Sequence, residues 1–468
     1  MTDVVLREVD LPDFGEPTVE PSIPRAVYEA RIERALDRAR ARGCDHLLVY
    51  GDREHSANIA YLTGFEPRFE EALLFLAPGR NPALAVGNEG WGYVGISPIE
   101  VERVLFQSFS LLAQPRSDSP RAQDLFRARG IGSGSRVGVV GWKYFIEGES
   151  ESPATTLDIP SYLADSLRDV TGDPSRVTNE TAILMNAEDG LRVVNEAEQL
   201  AWFEYAATYT SSAIRKVLFG LDPGMTEHEA VRLMEVNGIP LSCHLMLSAG
   251  PRARMGLPSP SSRRIEEGDR FTTAYGVWGA LNCRAGFVVR DERGLPEAIR
   301  DYVEKLVAPY FRAIVDWYRT IGIGARGSEL YDVIHRHLGD PFFGVKLNPG
   351  HQIHLDEWVN SPIFADSKIE LRSGMAFQVD VIPATETDYF TTNIEDGIAL
   401  ADEELRREIR ERFTEAWGRI EARRRFMKEV LGIELKPEVL PFSNIPAYLP
   451  PFLLSPRRVM TVAREGRS

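Results

Sequence analysis

The sequence predicts an α/β protein of two domains, and three observations support this prediction. The chain has 468 residues, 43% of them apolar, which is enough for one large core or two ordinary ones. Near its start, residues 23–42 carry apolar side chains at helical spacing, and the buried-strand pattern HLLVYG follows from His46. From Glu188 a long amphipathic pattern with few helix breakers indicates the helix that opens a new domain. We therefore expect domains at 1–185 and 186–468.

The first part continues with α/β features, whereas the second begins with helices. The segments NIAYLTGF (58–65) and EALLFLAPG (71–79) continue the first pattern, and the latter predicts a strand. SRVGVVG from Ser135 predicts a further strand between glycine-rich turns. Beyond the domain boundary, Thr226 and Glu229 have the spacing of a capping box, which predicts the start of another helix.

The second part then alternates between strands and helices. The segment EEGDRFTTAYGVWGAL (266–281) predicts a strand, a turn and a strand, and two helices are expected over 296–321 and 327–338. A charged helix is expected from Glu403 to about Ile433. The sequence contains no repeat typical of a solenoid or propeller.

An apolar, proline-rich arm, PFSNIPAYLPPFLLSP, follows the last predicted helix. Its prolines exclude a helix or a central strand. The apolar side chains of such an arm must be buried against another surface. It either packs on its own subunit, or it crosses a dimer interface or roofs a pocket.

Composition excludes several classes of partner. The formal net charge is −15, and Lys and Arg are dispersed, so a nucleic-acid surface is not expected. No apolar run approaches the roughly 20 residues that span a bilayer, and the acidic start MTDVVLREVDLPDFGEP differs from a signal peptide. Cys44, Cys243 and Cys283 lie too far apart for a closed disulfide framework. We expect a cytoplasmic protein that binds neither nucleic acid nor membranes.

Three segments in the second domain place a histidine and two acids at the ends of successive β-like stretches. The segments are GHQIHLDEW, GMAFQVDVIP and NIEDGIALAD, which contain His351, Asp380 and Glu395. Their order resembles the creatinase, prolidase and methionine aminopeptidase superfamily, and the YLTGF segment resembles its N-terminal domain. The resemblance covers about 60–410. It implies a creatinase-type N-terminal α/β domain followed by a pita-bread catalytic domain.

The resemblance also implies where metal ligands would stand. Metal-dependent relatives hold two divalent ions with two Asp, one His and two Glu, and the bridging hydroxide attacks an amide carbonyl. The His position matches His351, and the Glu positions match Asp380 and Glu395. The first Asp position holds Ala274, and the second holds Ala285 without a gap or Cys283 with a short one. Because neither is Asp, we expect no metal and no other cofactor.

Further candidates surround these positions. A role of His354 in the site stays open. In a strand, a residue three positions after His351 points to the opposite face. Asp356 and Glu357 form either a solvated turn or a replacement acid pair. Cys283 is either a small core residue or a ligand or nucleophile. Asn393 replaces an Arg common in relatives, which implies a changed substrate.

Arg68 and Phe69 are candidates from the first domain. In creatinase-like dimers, a loop after the YxTGF segment offers an Arg and an aromatic side chain to the substrate carboxylate in the partner's pocket. Both residues match that loop by position. We expect a homodimer in which they bind substrate; the alternative is an exposed Arg on an edge loop.

The function expected from these features is a metal-independent, creatinase-like hydrolase that cleaves an amide or amidino C–N bond of a small amino-acid-like compound. Asp380 or Glu395 would be the general base, and His351 or His354 would protonate the leaving nitrogen. Creatinase's own catalytic His is an upstream one, whose position falls near Leu257. Two alternatives stay open. One is a mononuclear-metal Xaa-Pro peptidase resembling prolidase or aminopeptidase P, and the other is an inactive pita-bread module that binds a peptide or protein.

Overall fold

The computed structural model describes residues 2–463 and divides into two compact units. One unit is Ile23–Val193, and the other is Met1–Ser22 together with Val194–Ser468. The division differs from the predicted one at the chain's start, because β1 (Val4–Glu8) pairs antiparallel with β16 (Arg458–Val462) of the second unit. The boundary also lies at Val193–Val194, whereas it was predicted at 185–186. No helix within residues 2–463 is long and apolar enough to cross a membrane.

The unit Ile23–Val193 is built on one mixed sheet. Its strands are β2 (His46–Gly51), β3 (Ala72–Leu76), β4 (Ala83–Val86), β5 (Glu102–Leu105), β6 (Val137–Val140) and β7 (Val177–Asn179). They lie in the order β5-β4-β3-β2-β6-β7, with β2 antiparallel to β3 and parallel to β6. Its helices are α1 (Arg25–Ala41), α2 (Ala57–Thr63), α3 (Gly90–Tyr93), α4 (Ala122–Ala128), α5 (Ser161–Thr171) and α6 (Ala182–Met185). The predicted α/β character of this region is confirmed.

Helices of the second unit lie in the regions predicted for them, and α10 has the predicted bounds. They are α7 (Ala197–Gly220), α8 (Glu227–Arg232), α9 (Ala308–Thr320), α10 (Gly327–Leu338), α11 (Glu403–Arg412) and α12 (Thr414–Phe426). The capping box before α8 forms as predicted, since the Thr226 hydroxyl accepts from the Glu229 N–H and the Glu229 carboxylate accepts from the Thr226 N–H. However, α7 begins later than Glu188, and α9 begins at Ala308 although its helix was predicted from residue 296. The predicted terminal helix is interrupted at Phe413.

Two antiparallel sheets form the centre of this unit. The first contains β8 (Met246–Ala249), β9 (Arg270–Val277), β10 (Ala280–Phe287) and β13 (Asn393–Glu395). The second contains β11 (His351–Gln352), β12 (Ala376–Gln378), β14 (Gly397–Leu400) and β15 (Val439–Pro441). Their orders are β13-β10-β9-β8 and β11-β12-β14-β15. Because β13 and β14 follow one another in the chain, the two sheets bring their polar segments to the same region.

The C-terminal arm packs on its own unit. Arg284 in β10 donates hydrogen bonds to the carbonyls of Ile445 (2.6 Å) and Tyr448 (2.8 Å). Farther along, the Leu453 N–H donates to the Phe287 carbonyl. The apolar side chains of the arm are buried within the chain itself. The arm therefore gives no argument for a partner subunit.

Candidate active site

Three side chains from separate segments converge in the second unit. His351 begins β11, Asp380 follows β12, and Glu395 ends β13. One ligating atom of each lies within 4.8 Å of the others. His351 Nε2 is 3.9 Å from Asp380 Oδ2 and 3.8 Å from Glu395 Oε1. The geometry thus brings the three together as the sequence suggested, while their catalytic roles stay predictions.

Asp380 and Glu395 line a cavity of about 690 Å³, a volume typical of small-molecule sites. His351 does not line it, because the ring is fully buried and stacks against Trp358, with ring centroids 4.1 Å apart. Trp358 itself lines the cavity. Much of the remaining wall is apolar, and its side chains include Met246, Met255, Leu257, Leu281, Ile382 and Phe390.

Glu357 is a further member of the cluster. Its Oε1 lies 3.1 Å from His351 Nε2, nearer than either other carboxylate, and the residue lines the cavity. Asp356 does not line the cavity. The pair was expected to be either a solvated turn or a replacement acid pair, and the position of Glu357 favours a replacement acid. Trp358, the next residue, was missed by sequence reasoning, although it stands in the same segment.

The proton affinities in this cluster are strongly perturbed. Burial lowers the pKa of His351, but interactions with the neighbouring Glu357, Glu395 and Asp380 outweigh burial and raise the pKa well above its usual value. Burial raises the pKa of Asp380 to about 6 and that of Glu395 well above its ordinary range, and neighbouring acids add to both. Carboxyl groups held this way can include an ionised and a protonated member near neutrality, as acid–base chemistry requires.

The strand register decides between the two alignments of the missing Asp pair. Ala274 in β9 lies opposite Cys283 in β10, and Cys283 lies opposite Glu395 in β13. Ala274 and Cys283 both line the cavity, whereas Ala285 lies opposite Thr272 and does not line it. The gapped alignment is therefore the one that the structure supports.

A dinuclear metal centre does not fit these residues. Neither Ala274 nor Cys283 supplies a carboxylate, and burial raises the pKa of the Cys283 thiol, which disfavours the thiolate form. Among residues 2–463, the donors that are grouped closely enough to share an ion are His351, Asp380 and Glu395, and three protein ligands suit a single ion.

The other sequence-predicted residues lie in different surroundings. The Asn393 side-chain amide lines the cavity and donates to Cys283 Sγ over 3.1 Å. His354 is buried outside the cavity lining, where its Nδ1 accepts from the Leu355 N–H and its ring meets Phe203 edge-on. A site role for His354 stays a prediction.

Asp396, the residue after Glu395, holds an arginine in place. Both of its oxygens accept from Arg284 Nη2, over 2.9 and 3.0 Å, and both side chains are 1% exposed. Asp396 also accepts from the Ala447 N–H. It therefore ties the sheet to the C-terminal arm and takes no direct part in lining the cavity.

Arg68 and Phe69 belong to the unit Ile23–Val193. Arg68 donates to the Tyr93 hydroxyl over 2.8 and 3.0 Å, pairs with Glu66, and has a positive φ of 63°. Phe69 is 55% exposed. The predicted homodimer and the substrate contact of these residues stay predictions.

Comparison with known proteins supports this fold. Neither a protein-family model nor a curated protein sequence matches the chain. Among solved structures, the prolidase from Pyrococcus horikoshii OT3 matches with a TM-score of 0.60 and 15% identity, over 80% of this chain and 95% of that one. The Xaa-Pro dipeptidase from Bacillus anthracis gives 0.59 and 15%, over 81% and 96%. The X-Pro aminopeptidase from Thermotoga maritima MSB8 gives 0.58 and 15%, over 80% and 95%.

This chain has the fold of the prolidases and X-Pro aminopeptidases. This result confirms the fold that the resemblance implies, an N-terminal α/β domain followed by a pita-bread domain. Identity near 15% establishes the fold alone, since one fold serves many chemistries. Function must therefore be argued from the site.

Proposed function

We propose that the chain is a metal-independent hydrolase that cleaves an amide or amidino C–N bond of a small compound, in the manner of creatinase. The observation that carries this proposal is the cluster of Glu357, Asp380 and Glu395 around His351 at the wall of a 690 Å³ cavity. The names of the structural neighbours, prolidase, Xaa-Pro dipeptidase and X-Pro aminopeptidase, describe hydrolases of C–N bonds and support the reaction class.

The proposed reaction uses one water molecule. Asp380 or Glu395 accepts a proton from water while the water oxygen bonds to the carbon of the C–N group, and the bond to nitrogen then breaks. The leaving nitrogen takes up a proton. Since His351 does not line the cavity, its proton passes through a carboxyl group that does, and Glu357 at 3.1 Å is the nearest.

Metal analysis combined with turnover tests this proposal. Protein purified without added metal should contain less than about 0.2 divalent ion per subunit, because the Asp pair that completes a dinuclear centre is missing. Hydrolysis of amides, amidines and guanidines should be measured before and after chelation. Turnover that survives chelation supports the proposal, and turnover that needs a stoichiometric ion contradicts it.

A second candidate is a mononuclear-metal Xaa-Pro peptidase. The 4.8 Å grouping of His351, Asp380 and Glu395 favours it, because three protein ligands and one open position suffice for a catalytic ion. This candidate predicts stoichiometric Mn, Zn, Fe or Co that is lost in His351→Ala. If neither the protein as purified nor the metal-loaded protein hydrolyses any of the amides, amidines and guanidines, the remaining alternative is a binding module without activity.

A further inference from the structure

We propose that the cavity binds an apolar compound with a planar, N–H-rich cationic head, such as an alkyl or aryl amidine or guanidine, in preference to an amino acid with a free carboxylate. This proposal rests on the proposed function only in taking the cavity as the substrate site. It names the class of substrate.

Unpaired hydrogen-bond acceptors form the first line of argument. Asp380 Oδ1, Asn393 Oδ1 and Glu395 Oε1 are buried and have no hydrogen-bond partner among residues 2–463. The three residues are 6%, 4% and 5% exposed, and all three line the cavity. Buried acceptors are almost always paired, so these atoms are available to accept hydrogen bonds from an occupant of the cavity. Asn393 and Glu395 stand two residues apart on β13, which places both side chains on one face.

The charges of the lining form the second line of argument. Glu357, Asp380 and Glu395 bring carboxyl groups to the wall. Among residues 2–463, Arg254 is the single Lys or Arg that lines the cavity, and its side chain pairs with Asp388 over 3.1 Å. A ligand carboxylate would thus face acids without a guanidinium free to receive it. A cationic head would instead be attracted by these acids. A planar amidinium or guanidinium can donate two parallel N–H hydrogen bonds to one carboxylate.

The apolar wall determines the rest of the ligand. Aliphatic and aromatic side chains surround the acids, among them Met246, Leu281, Trp358 and Phe390. Buried apolar area favours a hydrocarbon body, and each added methylene should tighten binding about 3- to 4-fold until the space is filled. A short zwitterion would leave this wall uncovered.

Calorimetric titration of the full chain, in the presence of a chelator, tests the proposal with matched probes. Benzamidine, neutral benzamide and anionic benzoate share one shape, and guanidinoacetate supplies a zwitterion without an apolar body. Benzamidine should bind at least about 10-fold more tightly than benzamide, the factor expected of a charge-assisted hydrogen bond. Benzoate and guanidinoacetate should bind more weakly still. Equal affinity for benzamide, or tighter binding of benzoate or guanidinoacetate, would overturn the proposal.

Two isosteric variants locate the effect. Glu357→Gln should weaken benzamidine binding about 10-fold or more and change benzamide binding little. Glu386→Gln is the control, because Glu386 also lines the cavity but pairs with Lys346 and is exposed. It should leave both affinities unchanged. Equal losses in the two variants would mean that the acid cluster does not hold the cation, and circular dichroism checks that each variant is folded.

Binding and turnover separate this inference from the proposed function. If benzamidine binds as expected and no amidine, guanidine or amide is hydrolysed, the proposed function fails and the inference stands. If amides or peptides are hydrolysed while apolar cations do not bind, the inference fails and the proposed function stands.

Discussion

Replacing Ala274 and Cys283 by aspartate should create a dinuclear metal site. The two residues face each other across the hairpin of β9 and β10, and Cys283 also faces Glu395. The double variant Ala274→Asp/Cys283→Asp would add two carboxylates to the three donors already grouped within 4.8 Å. Hard oxygen donors of this kind bind paired divalent ions.

The register gives the size of the expected effect and its control. Residues directly opposite on paired strands have Cβ atoms about 4.5–5.5 Å apart, whereas diagonal neighbours are about 7–8 Å apart. Paired ions are about 3.5–4 Å apart, so only directly opposite carboxylates are well placed to share them. The control is Ala274→Asp/Ala285→Asp, because Ala285 lies opposite Thr272. We expect about two ions per subunit in the first variant and fewer than one in the control.

Two measurements check this expectation. Elemental analysis after Mn²⁺ loading and dialysis counts the ions. Thermal unfolding shows whether they bind the folded state, which free metal at 100 times its Kd stabilises by about 2.7 kcal/mol. Without metal, both double variants should unfold at a lower temperature than the parent, because each adds buried acid. Equal metal content in the two variants would refute the register argument.

Three further predictions follow from the site and its support. His351→Ala and Glu395→Gln should each lower turnover at least about 100-fold, because acid–base groups contribute that much; unchanged kinetics in both would move the site elsewhere. Asp396→Asn should destabilise the second unit by about 3–5 kcal/mol in denaturant unfolding, since it leaves buried Arg284 without its charge partner; a loss below about 1 kcal/mol contradicts this. Iodoacetamide at pH 7 should label native Cys243 far more slowly than in unfolded protein, because burial raises its pKa to about 12; equal rates contradict this.

Local signals predicted most of the helices and strands, and the exceptions depend on distant contacts. The capping box at Thr226 and helix α10 from Gly327 to Leu338 follow from nearby residues alone. The pairing of Val4 with Val462 joins opposite ends of the chain, and no local pattern encodes it. Likewise, Phe413 interrupts the terminal helix without a Gly or Pro to announce the break.

The same distinction applies to the candidate site. His351, Asp380 and Glu395 could be predicted because each ends or begins a recognisable segment. The choice between Cys283 and Ala285 depended on the hairpin, where β9 and β10 are joined by the two-residue turn of Trp278 and Gly279. Gly279 has a φ of 92°, as such tight turns require, and turn length fixes the register. Only the paired strands reveal which side chain faces Ala274.

The absence of metal-binding carboxylates at Ala274 and Cys283 leaves the charge of the neighbouring acids without a pair of metal ions to balance it. Two divalent ions would neutralise several carboxylates, but Glu357, Asp380 and Glu395 here share a single neighbouring imidazole. His351 balances part of this negative charge, because these acids raise its pKa well above its usual value in spite of full burial. Within residues 2–463, Asp380 Oδ1 and Glu395 Oε1 have no hydrogen-bond partner, so the imidazole does not satisfy the cluster completely. A cationic substrate would supply the missing charge and the missing N–H donors together, so that binding energy and substrate selection come from the same buried acids.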